Sequence, residues 1–235
     1  MEGSGVSRGF VRLQAWFADW LIGWSLRGHF RAVYVQGAPP QEPQPLILFA
    51  NHHYWWDGYL GYWLIRSWGR RPLAWMESYR RFPPFGALGA LPFPPEQLVV
   101  RARTIRRTLL ALQSPETALL LFPEGVLHGD TERLLPFQRS LHWLACRVPN
   151  AILLPLAIYI EPSYHQYPRA YLRLGAPFAS QQADETAWLQ EAAQAVMGVL
   201  QQVRADARAA TSDEAILAQG YQLLLRGKRS IHERF

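Results

Sequence analysis

One histidine in this chain stands where a general base would stand. The apolar run of residues 45–50, Pro-Leu-Ile-Leu-Phe-Ala, stops at Asn51-His52-His53, and Asp57 follows His52 by five positions. An imidazole beside a carboxylate can take a proton from a hydroxyl near neutral pH. In a continuous helix, positions five apart lie about 140° apart around the axis. The pair therefore works only if the chain turns between them, as a strand end, a turn and a helix start would make it do. The ordinary alternative is a buried histidine and a helix-capping aspartate. A second apolar run, residues 118–122, stops at Pro123-Glu124-Gly125, again a carboxylate at a sharp turn. Two short buried strands ending in polar groups predict a shared crevice beyond the carboxyl ends of a sheet.

Other candidate chemistry is weaker. Ser7 lies in a formal G-x-S-x-G at residues 5–9, but no strand precedes it, so the strained nucleophile turn that this motif needs cannot form. A metal hydrolase built on His52, His53, His128 and Asp130 would lack H-E-x-x-H or comparable spacing, and adjacent histidines at a strand end point apart. Cys146 is alone, which rules out an intrachain disulfide.

The elements that must position these groups alternate between strand and helix. Strands are predicted at 32–36, 45–50, 73–76, 118–122, 151–161 and 170–174. Helices are predicted at 58–68, 99–113, 136–147 and 184–208, with a last helix capped by Ser212 and running to about Arg226. That alternation predicts one α/β domain: a mixed, mostly parallel sheet flanked by helices. Residues 82–95 form an apolar, proline-punctuated loop with at most a short helix, suited to line an acyl groove or face lipid.

The 235 residues are 49% hydrophobic, with ten tryptophans and a net charge of +6. Tryptophan suits a lipid–water boundary, and a basic balance suits anionic surfaces or substrates. No nucleic-acid-binding signature accompanies that charge. Residues 8–30 predict an amphipathic helix with Phe10, Leu13, Phe17, Trp20, Leu21 and Trp24 on one face, and Arg8, Arg12, Asp19 and Gly23 on another. That pattern fits a helix lying in a membrane interface, or one packed on its own domain. No stretch approaches the roughly 18–20 uninterrupted apolar residues of a spanning helix, and no cleavable leader is evident. The expected organisation is an interface helix at 1–31, a core at 32–180 and C-terminal helices at 181–235.

Asn51-His52-x4-Asp57-Gly58 followed by Phe122-Pro123-Glu124-Gly125 resembles the glycerolipid acyltransferase family, the bacterial 1-acylglycerol-3-phosphate acyltransferases and their relatives. The approach from Gly37 to Asn51, residues 85–93, residues 152–158 with Pro155, and Gly175-Ala176-Pro177 fall in family order. The resemblance covers about residues 30–180. It implies His52 and Asp57 as the catalytic pair, with His52 as base and Asp57 holding its tautomer. It implies substrate contacts from Asn51, Gly58, Phe122, Pro123, Glu124 and Gly125. It implies an acyl-CoA or acyl carrier protein donor, no metal or other cofactor, and a peripheral place on the cytoplasmic face of a membrane. Two family arginines are replaced, one by Pro95 and one in the Val126-Leu127 pair after Gly125. An arginine fork matches phosphate geometry and these residues do not. The expected acceptor is therefore a neutral lipid alcohol, a glycolipid hydroxyl or another lysolipid, unless Arg133, Arg139 or the arginines at 101–107 substitute.

Overall fold

The computed structural model describes residues 5–77, 79, 83–161, 165–179 and 184–231. Helix α1 (Gly5–His29) leads into β1 (Ala32–Gln36), then β2 (Leu46–Ala50), α2 (Asp57–Ser67) and β3 (Arg71–Met76). A 3-10 turn at Pro83–Leu88 precedes the three-residue β4 (Ala90–Pro92), followed by α3 (Leu98–Ala111) and β5 (Thr117–Leu121). The chain continues through α4 (Ser140–Arg147), β6 (Ile152–Ile160), β7 (Arg169–Leu174), α5 (Glu185–Ala209), α6 (Asp213–Ala218) and β8 (Gln222–Arg226). The strands form one sheet in the order β4-β3-β5-β2-β6-β7-β1-β8. Among the described strands, the β6–β7 and β1–β8 pairs are antiparallel and the rest are parallel. This is the expected single α/β domain with a mixed, mostly parallel sheet.

The apolar runs are continuous because both faces of the sheet are covered. Along β2, Leu46, Leu48 and Ala50 join a core with Leu60, Leu64 and Ile65 of α2 and Ile22 and Leu26 of α1. The alternate residues Ile47 and Phe49 join a second core with Leu141 and Leu144 of α4 and Trp188 of α5. Each fully buried leucine or phenylalanine contributes about 1.5–3 kcal/mol, so β2, buried along its whole length, is firmly seated. Its connection through α2 leaves toward β3 on one face. The connection from β5 through α4 crosses on the other face to β6. The ends of β2 and β5 thus meet at a topological switch point, where open α/β sheets form their crevices.

Three expectations change. The helix expected from 136 begins only at Ser140, since Pro136 and the three residues after it complete the loop from β5. The expected last helix ends at Ala218; Gly220 turns the chain with φ +89°, and Leu223 to Leu225 enter β8 instead. β8 is recruited by the open edge of β1, with Val33 opposite Leu225, a pairing that no local pattern announces. The loop at 82–95 carries β4, which adds to β3. Pro155 sits inside β6 without breaking the ladder. Its carbonyl accepts from Gly175 N just beyond the last residue of β7, so its missing N–H faces the place where β7 has ended.

Helix α1 packs by the face that looked polar. Asp19 accepts from Tyr62 Oη at 2.6 Å and from Arg66 Nη2 at 2.6 Å, both on α2. Gly23 lies so close to Trp63 that an added Cβ would stand 2.8 Å from its ring. Ile22 and Leu26 are buried. The aromatic face is left outside: Trp16, Phe17, Trp20 and Trp24 are each more than half exposed and Leu21 is 36% exposed. Phe17 stacks on Trp20, and Trp20 on Trp24. The side chains of Phe10 and Leu13 lie outside the described residues. Among the described residues, no helix is long and apolar enough to cross a membrane.

Candidate active site

The site is built where β2 runs out. Its ladder with β6 ends at Ala50 opposite Leu156, but Asn51 prolongs it with a side chain. The Asn51 carboxamide accepts from Ile158 N and donates to Ile158 O, each at 2.8 Å, so a side-chain amide does the work of a peptide group. Asn51 is fully buried; its amide is taken up by that pairing and by His53 Nδ1 at 3.3 Å, so the side chain holds the strand end in place. The next five residues turn, and α2 opens on Asp57.

Asp57 does not cap its own helix. One oxygen, Oδ2, accepts from His52 Nδ1 at 3.1 Å, from His53 N at 2.8 Å and from Tyr54 N at 2.9 Å. All three donors precede it in the chain, so the carboxylate closes the turn back on itself and clamps the imidazole. It is completely buried, and Oδ1 has no hydrogen-bond partner among the described residues. Burial raises its pKa, while the bonds from His52, Tyr54 N and His53 N oppose the rise. With Nδ1–H given to Asp57, His52 turns the lone pair of Nε2 outward. The His52 side chain is 23% exposed and its ring stacks on Phe122 at 4.1 Å.

The second carboxylate holds the same residue by its backbone. Glu124, at the end of β5, accepts from His52 N at 2.7 Å through Oε1. Its other oxygen accepts from His128 Nε2 and Leu135 N, both at 2.7 Å. Asp130 N points at His128 Nδ1 at 3.3 Å, which fixes His128 as the tautomer that donates to Glu124. Glu124 is 2% exposed and Pro123 is buried, so both serve the turn. Gly125 holds φ +78°, a backbone that favours glycine. Gly58, the second residue of α2, has nothing within 4 Å of a notional Cβ.

His53 points the other way from His52, as neighbours at a strand end do. It is 3% exposed, it stands 5.0 Å from the His128 ring, and its Nε2 has no hydrogen-bond partner among the described residues. Burial lowers its pKa, so it rests neutral. His53, Glu124 and His128 bring potential ligand atoms within 4.8 Å of one another. A transition-metal ion could use that donor set, but the short His128–Glu124 hydrogen bond already occupies two of the three groups. It differs from the set the sequence suggested, because His52 is committed to Asp57 and Asp130 pairs with Arg133.

The sequence offers His128 only as a possible metal ligand. Its spacing of four from Glu124 was visible, but the loop geometry that turns it back was not. Val126 and Leu127 stand exposed at the rim beyond Gly125. Arg133 pairs with Asp130, and Arg139 with Glu185.

A family profile for acyltransferases matches residues 32–161, more than half of the chain. The solved structure of the 1-acyl-sn-glycerophosphate acyltransferase PlsC from Thermotoga maritima superposes with a TM-score of 0.58 at 19% sequence identity. The overlap covers 91% of this chain and 86% of that one. Such a distant likeness speaks for the fold alone. No protein of curated function matches the chain. The two motifs on adjacent parallel strands, the profile that spans them and the shared fold lead to one conclusion: the chain belongs to the acyltransferase family and has the glycerolipid acyltransferase fold.

Proposed function

We propose that this acyltransferase moves a fatty acyl group from a thioester, acyl-CoA or acyl carrier protein, to a lipid hydroxyl at a membrane surface. The observation that carries the reading is the His52–Asp57 pair, with Nδ1 tied to a buried carboxylate and Nε2 turned outward at the end of a parallel strand. His52 Nε2 takes the proton of the acceptor hydroxyl. The oxygen attacks the thioester carbonyl carbon, and the new C–O bond gives a tetrahedral oxyanion. Its collapse breaks the C–S bond, and the departing thiolate takes the proton from the imidazolium. Asp57 stabilises that imidazolium while it exists. Nothing in the sequence of steps calls for a metal.

The exposed aromatic face of α1 supports attachment to lipid, since a helix that packs by its polar side leaves a large apolar surface with no use in water. Val126 and Leu127 make the rim beyond Glu124 apolar, which suits a neutral lipid alcohol or a glycolipid hydroxyl. Recognition of a phosphate on the acceptor has to come from another element. The alternative, a peripheral lipid-binding protein of the same fold with little turnover, predicts a damaged catalytic pair, and the pair is assembled.

The test is thioester consumption. Long-chain acyl-CoA or acyl carrier protein is mixed with the protein and detergent-solubilised lipids, thiol release is followed, and the new ester is identified by mass. His52→Ala should fold normally and lose turnover by roughly 100-fold or more. Undiminished turnover in that variant would place the base elsewhere.

A further inference from the structure

Residues 227–231 continue beyond β8, and their backbone is tied down at several points. β6 runs parallel to β2, β7 antiparallel to β6, β1 parallel to β7 and β8 antiparallel to β1. The end of β8 and the end of α1 therefore lie at the end of the sheet where β2 gives way to His52. There Gly227 N donates to Arg31 O at 2.9 Å, and Lys228 N to Phe30 O at 3.0 Å. Gly227 permits that approach, since an added Cβ would stand 1.9 Å from Phe30 O. Ser230 is fully buried, and its Oγ accepts from Gln166 N at 3.1 Å. Lys228 Nζ lies 5.6 Å from the centre of the Tyr167 ring.

The backbone is held, but the charges are left outside. Lys228 and Arg229 are exposed, and Ile231 beside them is 62% exposed. Arg27, three residues after Trp24 and so on the same side of α1, is exposed as well. None of these three cations has a carboxylate partner among the described residues, whereas the exposed Arg133 and Arg139 each have one. Arg103, Arg106 and Arg107 of α3 are exposed too, but Leu109 packs that helix on the opposite face of the sheet from α1. Cations fixed beside an exposed aromatic stripe complement a surface that is apolar inside and anionic outside. Tryptophan seats at the lipid–water boundary, and basic groups next to it meet headgroup phosphates.

We propose that Lys228 and Arg229, held against the end of α1, form with Arg27 a contact for anionic headgroups, which reads the charge of the bilayer on which the α1 aromatics sit. This rests on the membrane reading above and deepens it. The aromatics supply attachment, and the cations supply preference for anionic lipid. Their place at the site end of the sheet turns the catalytic turn toward the same surface: the His29 ring, at the end of α1, lies 4.3 Å from the ring of Trp56, the neighbour of Asp57. A basic tail that was merely solvated would need neither the buried Ser230 nor the close approach at Gly227.

The experiment is co-sedimentation with phosphatidylcholine vesicles, with and without phosphatidylglycerol, beside turnover of a soluble acceptor with acyl-CoA. Wild-type protein should sediment with both and prefer the anionic vesicles, and the preference should fade at high salt. Lys228→Gln combined with Arg229→Gln should lower the ratio of anionic to neutral partitioning by about tenfold, because each cation at an anionic surface strengthens binding severalfold. Binding to neutral vesicles and turnover of the soluble acceptor should not change. Gly227→Val keeps every charge but lifts the segment off Phe30, so it should lower the same ratio. Lys228→Arg should preserve it. An unchanged ratio in the double variant overturns the assignment. So does an equal fall in Arg106→Gln combined with Arg107→Gln, which would make net charge rather than position the cause. A raised KM for acyl-CoA with an unchanged ratio gives the cations to the donor and overturns it too. Failure of the membrane reading looks different: wild-type protein would sediment with neither vesicle, and both readings would fall together.

Discussion

His52 owes its expected reactivity to two carboxylates that grip different parts of it. Asp57 holds the ring through Nδ1, and Glu124 holds the backbone through N–H. Substituting either tests a different function. Asp57→Asn removes the charge that three donors share. Hydrogen bonds to a charged group contribute about 1.5–3 kcal/mol each, so the variant should lose stability as well as turnover, with kcat lower by about 100-fold or more and KM little changed. Steady-state kinetics beside thermal unfolding would check it. Unchanged kcat with lowered stability would reduce Asp57 to a purely structural clamp. These roles at residue scale were only partly legible. The pairing of His52 with Asp57 could be guessed from a strand end and a short gap. The direction of each carboxylate could not, because it depends on a turn whose residues carry no distinctive pattern.

At the scale of elements, α2 must approach the sheet closely for Asp57 to reach back. Gly61 permits this: a Cβ there would stand 2.4 Å from Leu120 of β5. Gly61→Val should push α2 outward, cost about 1–3 kcal/mol by overpacking, and lower turnover in proportion to the misplacement of Asp57. Normal stability with normal turnover would show that Leu120 simply gives way. Helix α1 makes a separate prediction. Replacing Trp16, Phe17, Trp20 and Trp24 by serine should abolish sedimentation with anionic liposomes while leaving acyl transfer to a soluble acceptor intact. Retained sedimentation would shift membrane contact to another surface. The helix and its two faces were evident from periodicity. Which face would turn inward was not, since Asp19 faces α2 only because Tyr62 and Arg66 await it there.

At the scale of the molecule, the sheet is closed at one edge by a C-terminal strand that an ionic cluster keeps in place. Asp213, at the start of α6, meets Arg169 at 3.0 Å and Arg31 at 3.5 Å. Burial alone would raise its pKa, but the hydrogen bond with Tyr34 and the charges of Arg31 and Arg169 outweigh this and hold it below the usual carboxylate range. A carboxylate depressed in the folded state adds stability above its unfolded pKa, and that stability is lost as the pH falls through the folded value. Asp213→Asn should therefore lower Tm at neutral pH, and the gap to wild type should narrow below about pH 4. A gap independent of pH would mean that charge is not what ties β8 down.

The alternation of strand and helix, the burial of both faces of β2 and the polar residues that end β2 and β5 all follow from local periodicity and from where apolar runs stop. Motif order then pointed to the family. Tertiary packing alone makes β2 and β5 neighbours, brings Glu124 to the backbone of His52 and seats β8 against the edge of β1. Those facts join residues far apart in the chain, and such contacts are selected by packing and by unmatched polar groups rather than by any pattern in neighbouring residues.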